Sequence, residues 1–320
     1  MPNQKESTID LHFHSLYSDA EEKPENLVYK LAKINSCTPV KAACLTDHNT
    51  LRGQVPFQNS LRNYNKTQLP ENQIQEGIFG VEVTLEYQNL PIHILAYSFP
   101  EPRETSPLNR FAYFSQIDTL LLKHINDGQR ERYYRELQLA RQQHPDLEKE
   151  IISTREVLEE SGEYAYECSD GQKGFNHIHI ASAIAKKTGK PRKTEYFERG
   201  GPFYLSSSDH YFKKIPIVQG LSILKQYSTE IILAHPKRIA DLLSRKKVEK
   251  LISQLARFLT GIEVYASIHS PDDIDYYNYL MDKFNFSTTT AGSDFHTYQK
   301  EKLCHFQNDT FLPNTLKNVA

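Results

Sequence analysis

The sequence IDLHFH at residues 9–14 alternates apolar with polar side chains. Successive side chains of a strand point to opposite faces, so this period of two predicts a β-strand with Asp10, His12 and His14 on one face. Two imidazoles on the same face of a strand can hold one metal ion. Open α/β sheets and barrels place their chemistry at strand ends, and we therefore expect a metal site where this strand ends.

Short apolar runs alternate with amphipathic stretches near both ends of the chain, which is typical of an α/β fold with parallel βαβ units. The predicted strands are residues 9–14, 40–46, 78–87, 91–99, 231–234, 261–265 and 287–291, and helices are predicted at 24–34 and 51–64. A short polar turn at Gln88-Asn89 separates the third strand from the fourth. The pattern predicts two α/β segments that bracket a different middle section.

The middle of the chain is polar and mostly helical in pattern. Helices are predicted there at 111–143, 147–161 and 177–187. We therefore expect a discontinuous α/β domain at 1–100 and 214–308, a helical insertion at 101–213, and a loosely held tail at 309–320.

The composition disfavours several classes of protein. The 320 residues include 38 lysines and arginines against 40 acidic residues, and the formal net charge of −2 gives no general attraction for double-stranded DNA. No apolar run approaches the roughly 18 residues needed to span a bilayer, and the first residues lack a signal pattern. The four cysteines are scattered without paired spacing, which favours a reducing compartment. We predict a cytoplasmic protein with no membrane partner.

Ionisable residues also lie inside or just after the predicted strands. Such a side chain is energetically expensive within an apolar strand unless it is paired or bound to a metal. The residues of this kind are Asp19, His48, Glu82, His93, His235, Asp294 and His296. Each alone is compatible with an ordinary polar residue of the core or the surface. Together with His12 and His14 they make nine, and this number predicts one metal centre.

These motifs resemble the polymerase and histidinol phosphatase (PHP) superfamily of metal-dependent phosphoesterases. DLHFHS, TDH, the glutamate of GVEV, IHI, AHP and GSDFH occur in the family's order. The resemblance implies a distorted (β/α)7 barrel of PHP type that holds two or three divalent metals. Carried over by position, it implies that His12, His14 and Asp294 hold a first metal, that Glu82 bridges the first and second, that His93 and His235 complete the second, and that Asp19, His48 and His296 hold a third.

The expected metals suit a phosphate substrate. Three carboxylates would be outweighed by up to three divalent cations, so the pocket would carry a net positive charge that attracts a phosphate dianion. Metals also lower the pKa of a bridging water and supply hydroxide at neutral pH, so no side-chain nucleophile is required. Ligands of His, Asp and Glu are compatible with manganese, which we expect, and equally with zinc or iron.

The insertion resembles one group within the family. HIHIASAI at 177–184 and YFERGGPFY at 196–204 are similar to the helical insertion of the nucleoside 3′,5′-bisphosphate phosphatases, a group that also includes 5′-to-3′ exoribonucleases. This resemblance implies a small nucleotide or the 5′ end of a short RNA as substrate. Where the group has Arg-Pro-His, this chain has His177-Ile178-His179. His179 is carried over as the catalytic contact to the phosphate or leaving group.

Arg130, Arg132 and Arg135 resemble the arginine-rich helix start by which that group grips a second phosphate. Guanidinium groups match the geometry of phosphate oxygens, so the assignment is chemically sensible. The alternative is a solvated basic helix face interleaved with Glu131 and Glu136.

Three other interpretations stay open at this stage. Glu263 lies in a predicted strand, where it orients metal ligands or makes an ordinary hydrogen bond of the core. A histidinol-phosphatase-like enzyme is a rival within the family, although the helical insertion argues against it. A protein that keeps the metals but has a regulatory, non-catalytic role is the alternative outside enzymes.

Overall fold

The structure is a computed structural model, and it describes residues 7–100, 106–147, 152–160, 177–197, 200–205, 214–296 and 302–304, together with the backbone of 306–307. The predicted tail at 309–320 lies outside the described residues.

The strands occur where the apolar runs predicted them, with one addition. They are β1 (Thr8–Phe13), β2 (Val40–Leu45), β3 (Phe79–Tyr87), β4 (Leu90–Ser98), β5 (Glu230–Leu233), β6 (Gly261–Ala266), β7 (Thr288–Gly292) and β8 (Phe306–Gln307). The short strand β8 was not predicted. All six residues of β1 are buried, because the polar face of this strand lies within the protein rather than against solvent.

The helices of the described residues are α1 (Pro24–Asn35), α2 (Gln54–Asn65), α3 (Pro107–Phe114), α4 (Lys123–Gln143), α5 (Thr154–Glu160), α6 (His177–Thr188), α7 (Ile217–Tyr227), α8 (Pro236–Leu242), α9 (Arg245–Leu255) and α10 (Pro271–Lys283). The single helix predicted at 111–143 is instead broken. Helix α3 begins earlier because Pro107 occupies its first turn and the Ser106 side chain accepts from the backbone N–H of Asn109. A π-helical turn at Asp118–Leu122 then separates α3 from α4.

The described strands form two sheets, with the orders β2-β1-β8 and β3-β4-β5-β6-β7. Strands β1 and β2 are parallel, as are β5 with β6 and β6 with β7, whereas β8 runs antiparallel to β1 and β4 runs antiparallel to β5. Single bridges connect Phe13 with Phe295 and His48 with Glu82. The mixed α/β class is therefore confirmed, while the strand ladders of the described residues do not form one closed barrel.

The predicted turn between the third and fourth strands is confirmed. Gln88 and Asn89 have φ angles of 50° and 64°, and consecutive positive φ values are the signature of a type I′ hairpin turn. This turn matches the right-handed twist of the strands. It therefore makes β3 and β4 direct neighbours, where a βαβ unit would place a helix between them.

The apolar residues of β1 belong to two apolar clusters. Leu11 packs in a cluster with Tyr97 of β4 and Ala291 of β7. Phe13 packs in another cluster with Leu27 of α1 and residues of α2. The strand that carries His12 and His14 is therefore held by buried apolar contacts before any metal binds.

The chain divides into two compact units, Met1–Leu85 with Ile92–Leu120 and Ile217–Ala320, and Glu86–Pro91 with Leu121–Pro216. The second unit has its own apolar core, which includes Leu137 of α4, Ile180 of α6 and Phe203. The domain boundaries expected from the sequence, at 101 and 213, stay a prediction. Among the described residues, no helix is both long enough and apolar enough to cross a membrane.

A glycine sets the distance between β6 and β7. A Cβ atom added at Gly261 would lie 1.6 Å from the carbonyl oxygen of Thr288. We expect Gly261→Ala to lower the free energy of unfolding by about 2 to 3 kcal/mol, because the two strands must separate to admit the methyl group. Urea denaturation followed by circular dichroism measures this. Ser253→Ala, at an exposed position of α9, is the control, and equal stability of the two variants would contradict the close approach.

Candidate metal centre

All nine predicted ligands lie in the first unit, and the structure brings them into one cluster. His12 and His14 come from β1 and the residue after it, Asp19 from the following loop, His48 from the segment after β2, Glu82 from β3, His93 from β4, His235 from the end of β5, and Asp294 and His296 from the segment after β7. Eight of the nine residues, all except His235, combine in three overlapping groups that could each hold a metal ion. The prediction of a His/Asp/Glu cluster able to bind metal is confirmed.

Glu82 lies at the centre of the cluster, with five imidazoles around its carboxylate. Its Oε2 is 3.1 Å from His12 Nε2, His14 Nε2 and His48 Nδ1, and its Oε1 is 2.8 Å from His93 Nδ1 and 2.9 Å from His235 Nε2. The two oxygens thus face different sets of rings. This arrangement suits a carboxylate that bridges two metal positions, which is the role the family resemblance implies for Glu82.

The most buried group consists of His12, His14, Glu82 and Asp294. The Nε2 atoms of His12 and His14 are 3.2 Å apart, and Asp294 Oδ1 lies 3.2 Å from the latter and 3.5 Å from the former. Ring nitrogens and carboxylate oxygens therefore converge on one small space. The lone pairs of these atoms repel one another unless a cation or a proton lies between them.

The other two groups share His48, and one of them contains the three residues that the resemblance assigns to the third metal. One consists of His48, Glu82 and His93, and the other of His14, Asp19, His48 and His296. In the latter, Asp19 Oδ1 lies 3.3 Å from His296 Nε2, and Asp19 Oδ2 lies 3.6 Å from His48 Nε2. The side chains of Asp19, His48 and His296 are each about one fifth exposed, so this edge of the cluster opens to solvent.

The three carboxylates of the cluster are ionised. Burial by itself raises the pKa of Glu82, but the surrounding imidazoles, His48 and His12 above all, outweigh burial and hold the pKa well below its usual range. The pKa values of Asp294 and Asp19 also lie well below the usual range, because neighbouring histidines favour the charged form more than burial opposes it.

The histidines of the cluster differ in their protonation state near neutral pH. Burial lowers the pKa of His48 to about 3, so this ring is neutral and free to bind metal near neutral pH. Burial also opposes the charge of His14, but hydrogen bonds with Asp294 and Glu82 raise its pKa to about 10. A metal ligand must be a neutral imidazole, and we therefore expect a metal to displace a proton from His14.

Glu263 holds two of the ligand segments in place. Its Oε1 is 2.9 Å from His12 Nδ1, and its Oε2 accepts from the backbone N–H of His235 at 2.7 Å. The first contact leaves Nε2 of His12 facing the cluster, and the second supports His235 in an unfavourable backbone conformation with φ of 24°. Of the two interpretations that the sequence left open for Glu263, the structure favours the orientation of metal ligands.

Sequence reasoning missed two polar residues next to the cluster. Asp47 accepts from the backbone N–H and hydroxyl of Ser15 at 2.6 and 2.7 Å and from the hydroxyl of Ser18 at 2.9 Å. Arg238 of α8 forms an ion pair with Asp294 through Nη2 and Oδ2. Asp47 stands in the TDH motif, which was interpreted through its histidine, whereas the Arg238 contact has no local sequence signal because its partner is 56 residues away.

The four predicted substrate-binding residues all belong to the second unit. On α4, Arg130 pairs with Asp127 at 2.5 Å, Arg132 with Glu136 at 2.8 Å, and Arg135 with Glu131 at 2.8 Å. His179 lies on α6 with 7% of its surface exposed. The pairs along α4 are those that the alternative of a solvated helix face expects. The substrate-binding role of all four residues stays a prediction.

The fold and the cluster define a mixed α/β protein with a candidate multi-metal centre at its strand ends. A family model for the PHP domain matches residues 10–266, and the chain belongs to this family. A search of curated proteins finds no match. The family and the cluster together support a metal-dependent phosphoesterase of PHP type.

Two solved structures share the fold. A candidate metal-dependent phosphoesterase from Bifidobacterium adolescentis superposes with a TM-score of 0.70 and is 19% identical, over 98% of this chain and 95% of that one. An amidohydrolase from Chromobacterium violaceum, solved with bound sulfate and no metal, superposes with a TM-score of 0.64 and is 21% identical, over 97% and 93% of the two chains. At these identities the likeness shows the fold alone.

The residues present fit divalent metals. The three groups offer imidazole nitrogens and carboxylate oxygens, the ligands that manganese, zinc and iron accept. The buried Nδ1 of His14 has no hydrogen-bond partner among the described residues, and it lies 3.9 Å from Asp19 Oδ1 within one of the groups. A buried polar atom without a partner is unfavourable, so a metal there would satisfy it.

The contacts of Glu263 predict an effect on metal affinity. Glu263→Gln keeps only one acceptor oxygen, which can serve either His12 Nδ1 or the N–H of His235 but not both, so we expect metal affinity to fall by about 10-fold to 100-fold. Calorimetric titration with Mn²⁺ measures this. Glu230→Gln is the matched control, because Glu230 is a buried acid in the same sheet that contacts Thr288 instead of a ligand. Similar affinities for the two variants would refute the orienting role.

The contacts of Asp47 predict a local loss of metal. Asp47→Asn replaces one of the two carboxylate oxygens that accept hydrogen bonds from Ser15 and Ser18, in the segment that leads to Asp19. We therefore expect metal bound by Asp19, His48 and His296 to dissociate first, while the group that contains His12 keeps its metal. Metal content after dialysis, measured by mass spectrometry, tests this. Ser18→Ala removes one of the three hydrogen bonds and should give a smaller loss in the same direction. Unchanged metal content in Asp47→Asn, or equal loss from both groups, would contradict the prediction.

Proposed function

We propose that the protein is a phosphoesterase that hydrolyses a phosphate ester of a small nucleotide, such as a nucleoside 3′,5′-bisphosphate, or acts at the 5′ end of a short RNA. The observation that carries the proposal is the convergence of five imidazoles and two further carboxylates around Glu82. The nucleotide part of the proposal is supported by the resemblance of the insertion motifs at 177–184 and 196–204.

The proposed metals are two or three divalent ions, with manganese preferred. His12, His14, Glu82 and Asp294 would hold the most buried ion, Glu82 with His93, His48 and His235 a second, and Asp19, His48 and His296 a third. When bound, such ions supply an activated water at neutral pH and offset the charge of a phosphate. Glu82 keeps the ligands of the first two positions together, because its two oxygens face separate sets of rings.

The exposed edge of the cluster is the proposed entry for substrate. His12, His14 and Glu82 have no exposed side-chain surface, whereas Asp19, His48, His93 and His296 are each about one fifth exposed. We therefore propose that a phosphate reaches the centre past these exposed residues. The same single bridges that link the two sheets, between Phe13 and Phe295 and between His48 and Glu82, support a distorted seven-stranded barrel around the centre.

The substrate-binding roles of the four predicted residues in the second unit are part of the proposal. Arg130 and Arg135 form exposed pairs along α4, and such pairs contribute only about 0 to 1 kcal/mol, so a phosphate can replace the carboxylate partner. Arg132 is held more firmly, since Glu136 is buried and the guanidinium lies over the rings of Tyr133 and Tyr204. We therefore propose Arg130 as the first candidate for the second phosphate, with His179 contacting the phosphate or leaving group. The cytoplasmic location and the absence of binding to double-stranded DNA stay predictions.

Phosphate release tests the proposed function. Purified protein with Mn²⁺ is assayed with adenosine 3′,5′-bisphosphate, a 5′-labelled short RNA and histidinol phosphate. We expect free phosphate with a nucleoside 5′-monophosphate, or mononucleotides from the RNA, and a loss of about 10²-fold or more in His12→Ala and on treatment with a chelator. His124→Ala, at an exposed position of the second unit, is the matched control and should retain activity.

The outcomes separate the alternatives. Turnover of histidinol phosphate alone would favour a histidinol-phosphatase-like enzyme. No turnover of any of the three substrates by protein with confirmed bound metal would overturn the proposal in favour of the non-catalytic role. Equal activity of His12→Ala and His124→Ala would show that the observed hydrolysis does not come from this centre.

A further inference from the structure

Arg238 brings a guanidinium group to the ligand cluster. Its Nη2 pairs with Asp294 Oδ2, while the other oxygen of that carboxylate, Oδ1, lies 3.2 Å from His14 Nε2 and 3.5 Å from His12 Nε2. A single carboxylate therefore separates the guanidinium from the most buried ligand group. The position is fixed locally, because the backbone N–H of Arg238 donates to the carbonyl oxygen of His235 in the first turn of α8.

The two partners of this ion pair are differently exposed. The Asp294 side chain is 4% exposed, whereas the Arg238 side chain is 52% exposed. A guanidinium carries several N–H donors in a planar fork, and the contact with Asp294 goes through one of its nitrogens. About half of the Arg238 side-chain surface is exposed, and its guanidinium has N–H donors that the contact with Asp294 does not use.

We propose that Arg238 binds a nonbridging oxygen of the phosphoryl group that the enzyme removes. This inference rests on the proposed function and names a substrate contact that the sequence motifs do not assign. A planar fork matches the oxygens of a phosphate, and a monoester dianion has more free oxygens and charge to offer than a diester. Arg238 therefore favours terminal phosphate monoesters over internal diester bonds.

Arg238 takes no part in the bond changes. Water adds its oxygen to phosphorus, the ester P–O bond breaks with its electron pair going to the leaving oxygen, and that oxygen receives a proton released by the water. The guanidinium stabilises the negative charge on the phosphoryl oxygens throughout. Its contact with Asp294 stays in place, because the phosphate uses the donors that face solvent.

A second role for the ion pair is purely positional. Arg238 would then only fix Asp294 so that Oδ1 points at the histidines. The two roles differ in one measurable respect, since a positioning residue changes metal affinity, whereas a phosphate-binding residue changes phosphate affinity at full metal occupancy.

The test measures binding of inorganic phosphate to the full chain saturated with Mn²⁺, by calorimetry, in wild type, Arg238→Gln, Arg238→Lys and Lys237→Gln. Lys237 is the matched control, because it lies next to Arg238 on α8 and pairs with Asp241 on the same helix. Metal content is measured by mass spectrometry, and thermal unfolding checks that each variant is folded. Hydrolysis of adenosine 3′,5′-bisphosphate is measured in parallel.

We expect phosphate to bind about 10-fold to 100-fold more weakly to Arg238→Gln, because a hydrogen bond to a charged group is lost. Arg238→Lys should fall between wild type and Arg238→Gln, since an ammonium keeps the charge without the fork. Lys237→Gln should bind phosphate as wild type does. Equal phosphate affinity of Arg238→Gln and Lys237→Gln at full metal occupancy would overturn the inference, whether or not metal affinity had changed.

Failure of this inference is distinguishable from failure of the proposed function. Wild type that hydrolyses the bisphosphate, with Arg238→Gln unchanged in phosphate affinity, would retain the function and remove the role of Arg238. Wild type that hydrolyses none of the substrates but binds phosphate through Arg238 would remove the proposed function and retain the phosphate contact.

Discussion

The carboxylate of Glu82 is fully buried and ionised, and the first unit is arranged around it. Removing a carboxylate from water costs several kcal/mol unless nearby charges and hydrogen bonds compensate. Here the compensation comes from five imidazoles within 3.1 Å, which are supplied by β1, by β4 and by the segments after β2 and β5. Strands from both sheets must therefore end near the same point. The requirement to surround one buried charge explains why the His48–Glu82 bridge joins two sheets whose ladders are otherwise separate.

This convergence requires backbone conformations that are unfavourable on their own. His235 and Asp294 have φ angles of 24° and 53°, in the region that residues with a Cβ atom rarely adopt. Neighbouring contacts hold them there, since Glu263 accepts from the N–H of His235 and the N–H of Asp294 donates to the carbonyl oxygen of His12. His235 and Asp294 therefore keep strained backbone conformations that place both residues in the cluster. Binding of a metal to the native state would stabilise the fold by mass action and offset part of this strain.

Local patterns predicted the parts of the structure that depend on local physics. The alternation at 9–14 and the short apolar runs located seven strands, and the ionisable residues within or just after them located the candidate metal-binding cluster. Pairing between strands was not predictable in the same way, because register and sheet order depend on contacts distant in sequence. The same limit applies to the hydrogen bonds that Asp47 accepts from Ser15 and Ser18. It also applies to His48, which belongs to two of the candidate metal-binding groups. Strand β8 is only two residues long, too short for its period to be visible.

The arginines show that a cluster of cations in the sequence does not by itself identify the guanidinium group that can bind a phosphate. The three on α4 attract notice because they are close together, but that helix also supplies Asp127, Glu131 and Glu136 within one turn to neutralise them. Arg238 follows Lys237 on α8, but its acidic partner, Asp294, belongs to the candidate ligand cluster. A phosphate at α4 must replace a carboxylate to reach a guanidinium. At Arg238 it need replace none, because the same carboxylate can serve the guanidinium through one oxygen and the histidine cluster through the other.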